Sequence, residues 1–147
     1  MNQKLIVVAV LASLMVGCGR PVQKEPGQWF ATASGLDLPA GSRELDAEAI
    51  VVLAVGDTYY LRLSADDALR TLADAEFETC AWSDARDYLV PPDSWMDQLP
   101  FWDKARIKES IHYRRRHKDE SGTDWLCRLA IDAENHVAYF VGVQTRE

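Results

Sequence analysis

Toward the end of the chain, apolar residues fall at every second position. Trp125, Cys127, Leu129 and Ile131 do so within the run Thr123 to Asp132, and Val137, Tyr139, Val141 and Val143 within His136 to Gln144. Alternation of this kind turns successive side chains to opposite faces of an extended strand, so each run offers one apolar face to a core. With Ser110 to His117 ahead of them, joined by Lys118 to Gly122 and Ala133 to Asn135, these runs predict a three-stranded antiparallel meander. Upstream, Ile50 to Val55 and Thr58 to Leu63 are β-rich runs separated by Gly56-Asp57, a pair suited to a tight reversal, which predicts a hairpin. After Ser64 the spacing changes to three and four at Ala65, Ala68, Leu69 and Leu72, which predicts a helix over Ala65 to Ala75 with Ser64 as its cap and Asp67 at capping-box spacing. Weaker signals make Trp29 to Ser34 and Phe77 to Trp82 short strands, the latter carrying Cys80. Residues 83 to 104 read as irregular because Pro91, Pro92 and Pro100 forbid a long element, with Asp93 able to cap one helical turn from Ser94 to Leu99. The sum is an α+β fold: an antiparallel β-sheet, built from an N-terminal hairpin and a C-terminal three-stranded meander, with one main helix packed on it.

The other strong pattern is at the start. Leu5 to Val16 is a twelve-residue apolar run after a short polar stretch with one Lys, too short for the roughly 20 residues a spanning helix needs. It ends in Leu14-Met15-Val16-Gly17-Cys18-Gly19. That ending resembles the lipobox of bacterial lipoprotein precursors, with Met15 standing where the family has Leu, Val or Ile. The resemblance implies a signal peptide over residues 1–17, cleavage before Cys18, and lipidation of the Cys18 thiol by diacylglyceryl and further acyl groups such as palmitate. Two or three acyl chains would hold the protein on membrane lipid. Gly19, where Asp would retain the lipoprotein on the inner membrane, implies the outer membrane facing the periplasm in a Gram-negative cell. Residues 18–27, polar and containing Pro21 and Pro26, read as an acylated tether, and residues 28–147 as a single α+β domain. Leu38 to Ser42, Tyr60 to Leu63, Pro91-Pro92 with Trp95, and Ile131-Asp132 through Val137 to Phe140 together resemble small bacterial lipoproteins of unassigned function, which implies no activity. Ser121-Gly122-Thr123-Asp124-Trp125 is similar to the opening of the signature of lipoprotein inhibitors of C-type lysozyme, but the downstream Trp-x-Lys-Gly is missing.

Composition narrows the picture. The chain has 147 residues, 48% of them hydrophobic, with 16 Lys and Arg against 23 Asp and Glu, a net charge of −7. That is globular and acidic, which argues against a nucleic-acid partner. With Cys18 lipidated, Cys80 and Cys127 form an even pair in an oxidising compartment, and a disulfide between them would close a loop of about 47 residues. The alternative is two buried free thiols.

Charge is uneven along the chain. Residues 37 to 103 carry 15 acids against Arg43, Arg62, Arg70 and Arg86, whereas Lys104, Arg106, Lys108, Arg114, Arg115, Arg116 and Lys118 crowd the next segment against Glu109 alone. A basic stripe centred on Arg114, Arg115 and Arg116 can contact an anionic polymer, lipid phosphate or acidic protein, or it can be a solvated strand face. Trp95, Phe101 and Trp102, in the Pro-rich segment, are candidate binding anchors unless they pack under a long loop. His112 and His117 are five apart on a strand and so face opposite ways, which excludes a local metal chelate. Asp66 and Asp67 read as helix-capping acids. No catalytic or cofactor motif is present, and no metal or cofactor is expected. The expectation is a non-enzymatic, lipid-anchored envelope protein that binds another envelope component or protein, an immunity or inhibitor protein included. The alternative is an enzyme acting on envelope polymers with scattered carboxylates, among Asp93, Asp97 and Asp103, and with His112.

Overall fold

Six strands form one antiparallel sheet in the computed structural model, which describes residues 28–52 and 56–145. They are β1 (Glu44–Val52), β2 (Gly56–Ser64), β3 (Glu78–Thr79), β4 (Ile111–Lys118), β5 (Asp124–Asp132) and β6 (Val137–Thr145), in the order β1-β2-β6-β5-β4-β3. The hairpin β1–β2 and the meander β4–β5–β6 are joined by β6 pairing with β2, Tyr60 opposite Val141. The fold is α+β, with helices packed on the sheet.

Which face each strand buries follows from register. Leu129 pairs with Phe140 and Ala130 with Tyr139, and directly paired residues share a face. The apolar positions of β5 and those of β6 therefore point to opposite sides of the sheet, and both sides are covered. On the first face Trp125, Cys127, Leu129, Ile131, Ala138 and Phe140 pack with Leu61 and Leu63. Over them lie helix α1 (Gln28–Ser34), through Phe30 and Ala33, and helix α2 (Asp67–Glu76), through Leu69 and Ala73. On the second face Tyr60, Ala130, Tyr139 and Val141 meet Ala85, Leu89, Leu99, Trp102 and Ile107. These come from helix α3 (Trp82–Leu89), the loop after a 3₁₀ turn (Asp93–Gln98), and helix α4 (Lys104–Lys108). Each fully buried Leu or Phe contributes about 1.5–3 kcal/mol, so two apolar layers stabilise the fold where the expected arrangement had one main helix.

Several local expectations are corrected. Residues 29 to 34 are helical: Phe30 and Ala33 face the sheet, and the Ser34 hydroxyl donates to the Phe30 carbonyl at 2.7 Å. A Cβ at Gly142 would lie 2.6 Å from that of Ala33, so Gly142 is what lets α1 sit so close to β6. Helix α2 starts two residues later than the spacing suggests, because Asp66 rather than Ser64 is the cap; its Oδ1 accepts from the Leu69 N–H at 3.0 Å. The Phe77 to Trp82 strand shrinks to Glu78–Thr79, and its end opens the unforeseen helix α3, whose Ala85 and Leu89 are buried. Gly56 and Asp57 pair with Val52 and Val51 inside the ladder, so they are strand residues rather than the reversal; residues 53–55 lie outside the described residues. The expected signal peptide, lipidation site at Cys18 and tether also lie outside them.

The Cys80–Cys127 disulfide is not formed. Both residues are free thiols, Cys127 buried on the first face with its Sγ donating to the Ala33 carbonyl at 3.2 Å, and Cys80 half-buried against the second-face core. The sheet stands between them.

Candidate functional site

Three consecutive arginines on β4 cannot share a face, and the strand separates them. Arg115 turns to the first face. Its Nε donates to the Ser34 carbonyl and its Nη1 to the Glu76 carbonyl, each at 2.8 Å, and Nη1 lies 3.7 Å from the Glu76 carboxylate. It thus holds the C-terminal ends of α1 and α2, where the helix dipoles favour a cation.

Arg114 and Arg116 turn to the second face, where register brings in a residue the basic stripe did not include. Arg128 on β5 stands directly opposite Arg114, and Leu126 opposite Arg116. The Arg128 guanidinium lies 4.2 Å from the centroid of the Tyr88 ring, and its Nη1 donates to the Cys127 carbonyl at 3.0 Å. Its Nε is buried with no hydrogen-bond partner. Arg114 donates through Nε to Glu78 Oε2 at 3.1 Å. The Arg116 side chain is exposed and makes no hydrogen bond or ion pair among the described residues. Because β3 pairs only with Tyr113 and Arg114, the edge of β4 beyond them is uncovered. There Arg114, Arg115, Arg116 and Arg128, with Tyr88, Leu126, Glu76 and Glu78, line an open cleft of about 560 Å³.

Four guanidiniums against two carboxylates leave two positive charges in excess at one place on a chain whose net charge is −7. Like charges directly opposed across strands cost roughly 0.2–1 kcal/mol, and the single carboxylate at Arg114 does not reach all three second-face arginines. The arrangement is suited to holding an anion. Cys80 is close enough for Arg128 and Arg114 to pull its thiol pKa down, but burial dominates and pushes it up. Burial pushes the Cys127 thiol up to about 12.

The aromatic candidates are not part of this cleft. Trp102 is core: its indole N–H donates to the Leu89 carbonyl at 2.8 Å, and its ring meets Tyr60 and Tyr139 edge-on at 5.1 and 5.4 Å. Trp95 and Phe101 are half-buried, Trp95 edge-on to Tyr60 at 6.4 Å and Phe101 to Trp102 at 6.2 Å. This segment packs under its own loop on β2 and β6, while the arginines stand on β4 and β5, so stripe and aromatic loop are not one binding surface. The adjoining hollow is taken up by ion pairs, Arg62 with Asp46 at 2.6 Å and Arg106 with Asp132 at 3.5 Å.

Of the remaining titratable candidates, Asp103, Asp93 and His112 have local partners, while Asp97 is exposed on the 3₁₀ turn. Asp103 caps α4 by accepting from the Arg106 N–H at 3.0 Å, and Asp93 pairs with Lys104 at 3.1 Å. His112 is buried, its Nε2 2.7 Å from the Ile107 carbonyl oxygen, and His117 lies on the opposite face beside Gly35. Among the described residues no three His, Cys, Asp or Glu side chains cluster as a metal site, and no helix is long and apolar enough to cross a membrane. Comparison with protein-family models, with curated proteins and with solved structures finds no match for this chain. Arg128 and Tyr88 are the residues that sequence reasoning missed. The signal was present, because the turn around Ser121 sets the β4–β5 register and with it the opposition of Arg114 and Arg128.

Proposed function

We propose that this protein is a lipid-anchored bacterial envelope lipoprotein, tethered through acylated Cys18, that works without catalysis by binding an anionic group of another envelope component or protein through the arginine cleft. The observation that carries the reading is the convergence of Arg114, Arg116 and Arg128 on one wall with a single second-face carboxylate among them. Arginine forks pair with phosphate and carboxylate in two-point geometry, and Arg128 is already ordered against Tyr88. An acidic patch on a toxin, as an immunity protein would meet, and an anionic envelope polymer both fit this chemistry.

Two measurements test it. For the anchor, the Cys18→Ser chain is expected to move from the membrane fraction to the soluble fraction, and unchanged fractionation would remove the lipid from the account. For the cleft, the full chain is immobilised in nonionic detergent and exposed to solubilised native envelope and to purified anionic wall polymer. A component retained at moderate salt is expected to be lost from the Arg114→Glu, Arg116→Glu variant and kept by Lys108→Glu, which lies outside the cleft. Equal retention by all three proteins would sink the cleft as the binding face.

A further inference from the structure

We infer that the group taken by the arginine cleft is a phosphate monoester in its dianionic form, an inference that rests on the cleft being the binding face. Charge makes the first distinction. The lining residues leave two positive charges in excess, which a phosphate monoester, close to −2 at neutral pH, cancels. A carboxylate or a phosphate diester would leave one of them uncompensated beside Arg116 and Arg128, since Arg114 is already paired with Glu78.

Donor geometry makes the second. One guanidinium fork suits a planar carboxylate, whereas this wall presents donors from three guanidiniums on two adjacent strands, an arrangement matched to the oxygens of a tetrahedral anion. Each has unused capacity: Arg114 engages Glu78 through Nε only, the Arg116 side chain is unengaged among the described residues, and Arg128 donates within the protein through Nη1 only. Arg128 is fixed beforehand between Tyr88 and the Cys127 carbonyl, so ordering it costs little when the anion arrives.

Size makes the third. About 560 Å³ falls within the range of roughly 300–1,000 Å³ for small-molecule sites and leaves room beside the phosphate. The organic part of the ester would then lie against Tyr88 and Leu126, the apolar part of the lining. Two sources present this chemistry, a soluble phosphomonoester and the headgroup of a lipid ending in one.

The test is titration of the full chain in nonionic detergent, followed by calorimetry, with glycerol 3-phosphate, dimethyl phosphate and acetate at matched ionic strength. A parallel arm measures sedimentation with neutral vesicles that do or do not contain phosphatidic acid. The monoester is expected to bind at least about tenfold more tightly than the diester or acetate, and Arg116→Gln and Arg128→Lys are each expected to lose about tenfold, with Lys108→Gln unchanged. The Arg116 side chain has no hydrogen bond or ion pair among the described residues, so its variant tests the site without disturbing the fold. Binding confined to phosphatidic acid vesicles, with the same dependence on Arg116, supports the inference and assigns the monoester to a lipid headgroup. Equal affinity for monoester, diester and acetate overturns the inference, and if Arg116→Gln weakens all three alike the cleft survives as the binding face. Monoester binding indifferent to both arginine variants overturns the inference and the cleft together.

Discussion

At Asp119 one carboxylate organises the turn between β4 and β5. Its Oδ1 accepts from the Ser121 hydroxyl at 2.6 Å, the Ser121 N–H at 2.9 Å and the Thr123 N–H at 3.0 Å, and its Oδ2 accepts from the Trp125 indole at 3.0 Å. These bonds, the Ser121 hydroxyl first and the Trp125 indole next, hold its pKa at about 2, below the ordinary 3.8. A depressed folded-state pKa contributes stability that is present above about 3.8 and lost as pH falls toward 2. The urea midpoint of the wild-type chain should therefore exceed that of Asp119→Asn at pH 6, with the gap closing between pH 4 and pH 2; a gap independent of pH would show that the charge is not what matters. Asp119→Ala additionally strands the indole N–H of a core tryptophan, at a cost of about 1–3 kcal/mol. The adjacent arginines offer a sharper contrast. Arg115→Ala frees the carbonyls at two helix ends and should cost about 2 kcal/mol, while Arg116→Ala should stay within about 0.5 kcal/mol. Similar losses from both in denaturant titrations would contradict the assignment of one to the fold and the other to the cleft.

Among the elements, α1 packs closely on β6, where the absent side chain of Gly142 accommodates Ala33 and the Phe30 ring sits 4.8 Å from Phe140. Gly142→Ala would force α1 outward and should destabilise by about 1–3 kcal/mol. Ala33→Gly on its own should cost about 1 kcal/mol through helix propensity, yet the double variant should be less destabilised than the sum, because the glycine removes the clash. Strict additivity would mean that α1 does not approach β6 as described. This helix shows where the limits of legibility fall. The meander was readable because Trp125 to Ile131 and Val137 to Val143 alternate cleanly, and β2 and α2 because their spacing changes at Ser64. Helix α1 was not, since a seven-residue helix buries too few positions to show a period, and its conformation depends on Gly142, more than a hundred residues away. Helix α3 was obscured by Pro91 and Pro92, which end it rather than prevent it. Trp102 looked like a surface anchor because its hydrogen bond to Leu89 and its rings, Tyr60 and Tyr139, are distant in sequence. The candidate site was half legible: β4 advertises its arginines, but only the register around Ser121 shows that Arg115 leaves the group and Arg128 joins it.

Across the whole molecule, the sheet acts as a partition, and its consequence is clearest for the thiols. Parity counts cysteines, but bridging requires that their Cβ atoms approach to about 3.5–4.5 Å. Cys127 points to the layer of α1 and α2, and Cys80 packs in the layer of α3, so a bridge would have to pass through the strands. Stability should then owe nothing to oxidation. In a Cys18→Ser chain the denaturation midpoint should be the same with and without reductant, and intact mass should not change on reduction. Under native conditions an alkylating reagent should reach half-buried Cys80 slowly and Cys127 only at the rate of global unfolding, since its thiol is buried and its pKa is pushed up to about 12. A mass two protons lower before reduction would require the two faces to meet and would overturn the three-layer arrangement as well as the free thiols. Protection of Cys127 with slow labelling of Cys80 would agree with an accessible thiol on the layer that carries the arginine cleft, where Arg114 and Arg128 already act on it, and would make Cys80 a covalent attachment point for a reporter of occupancy there.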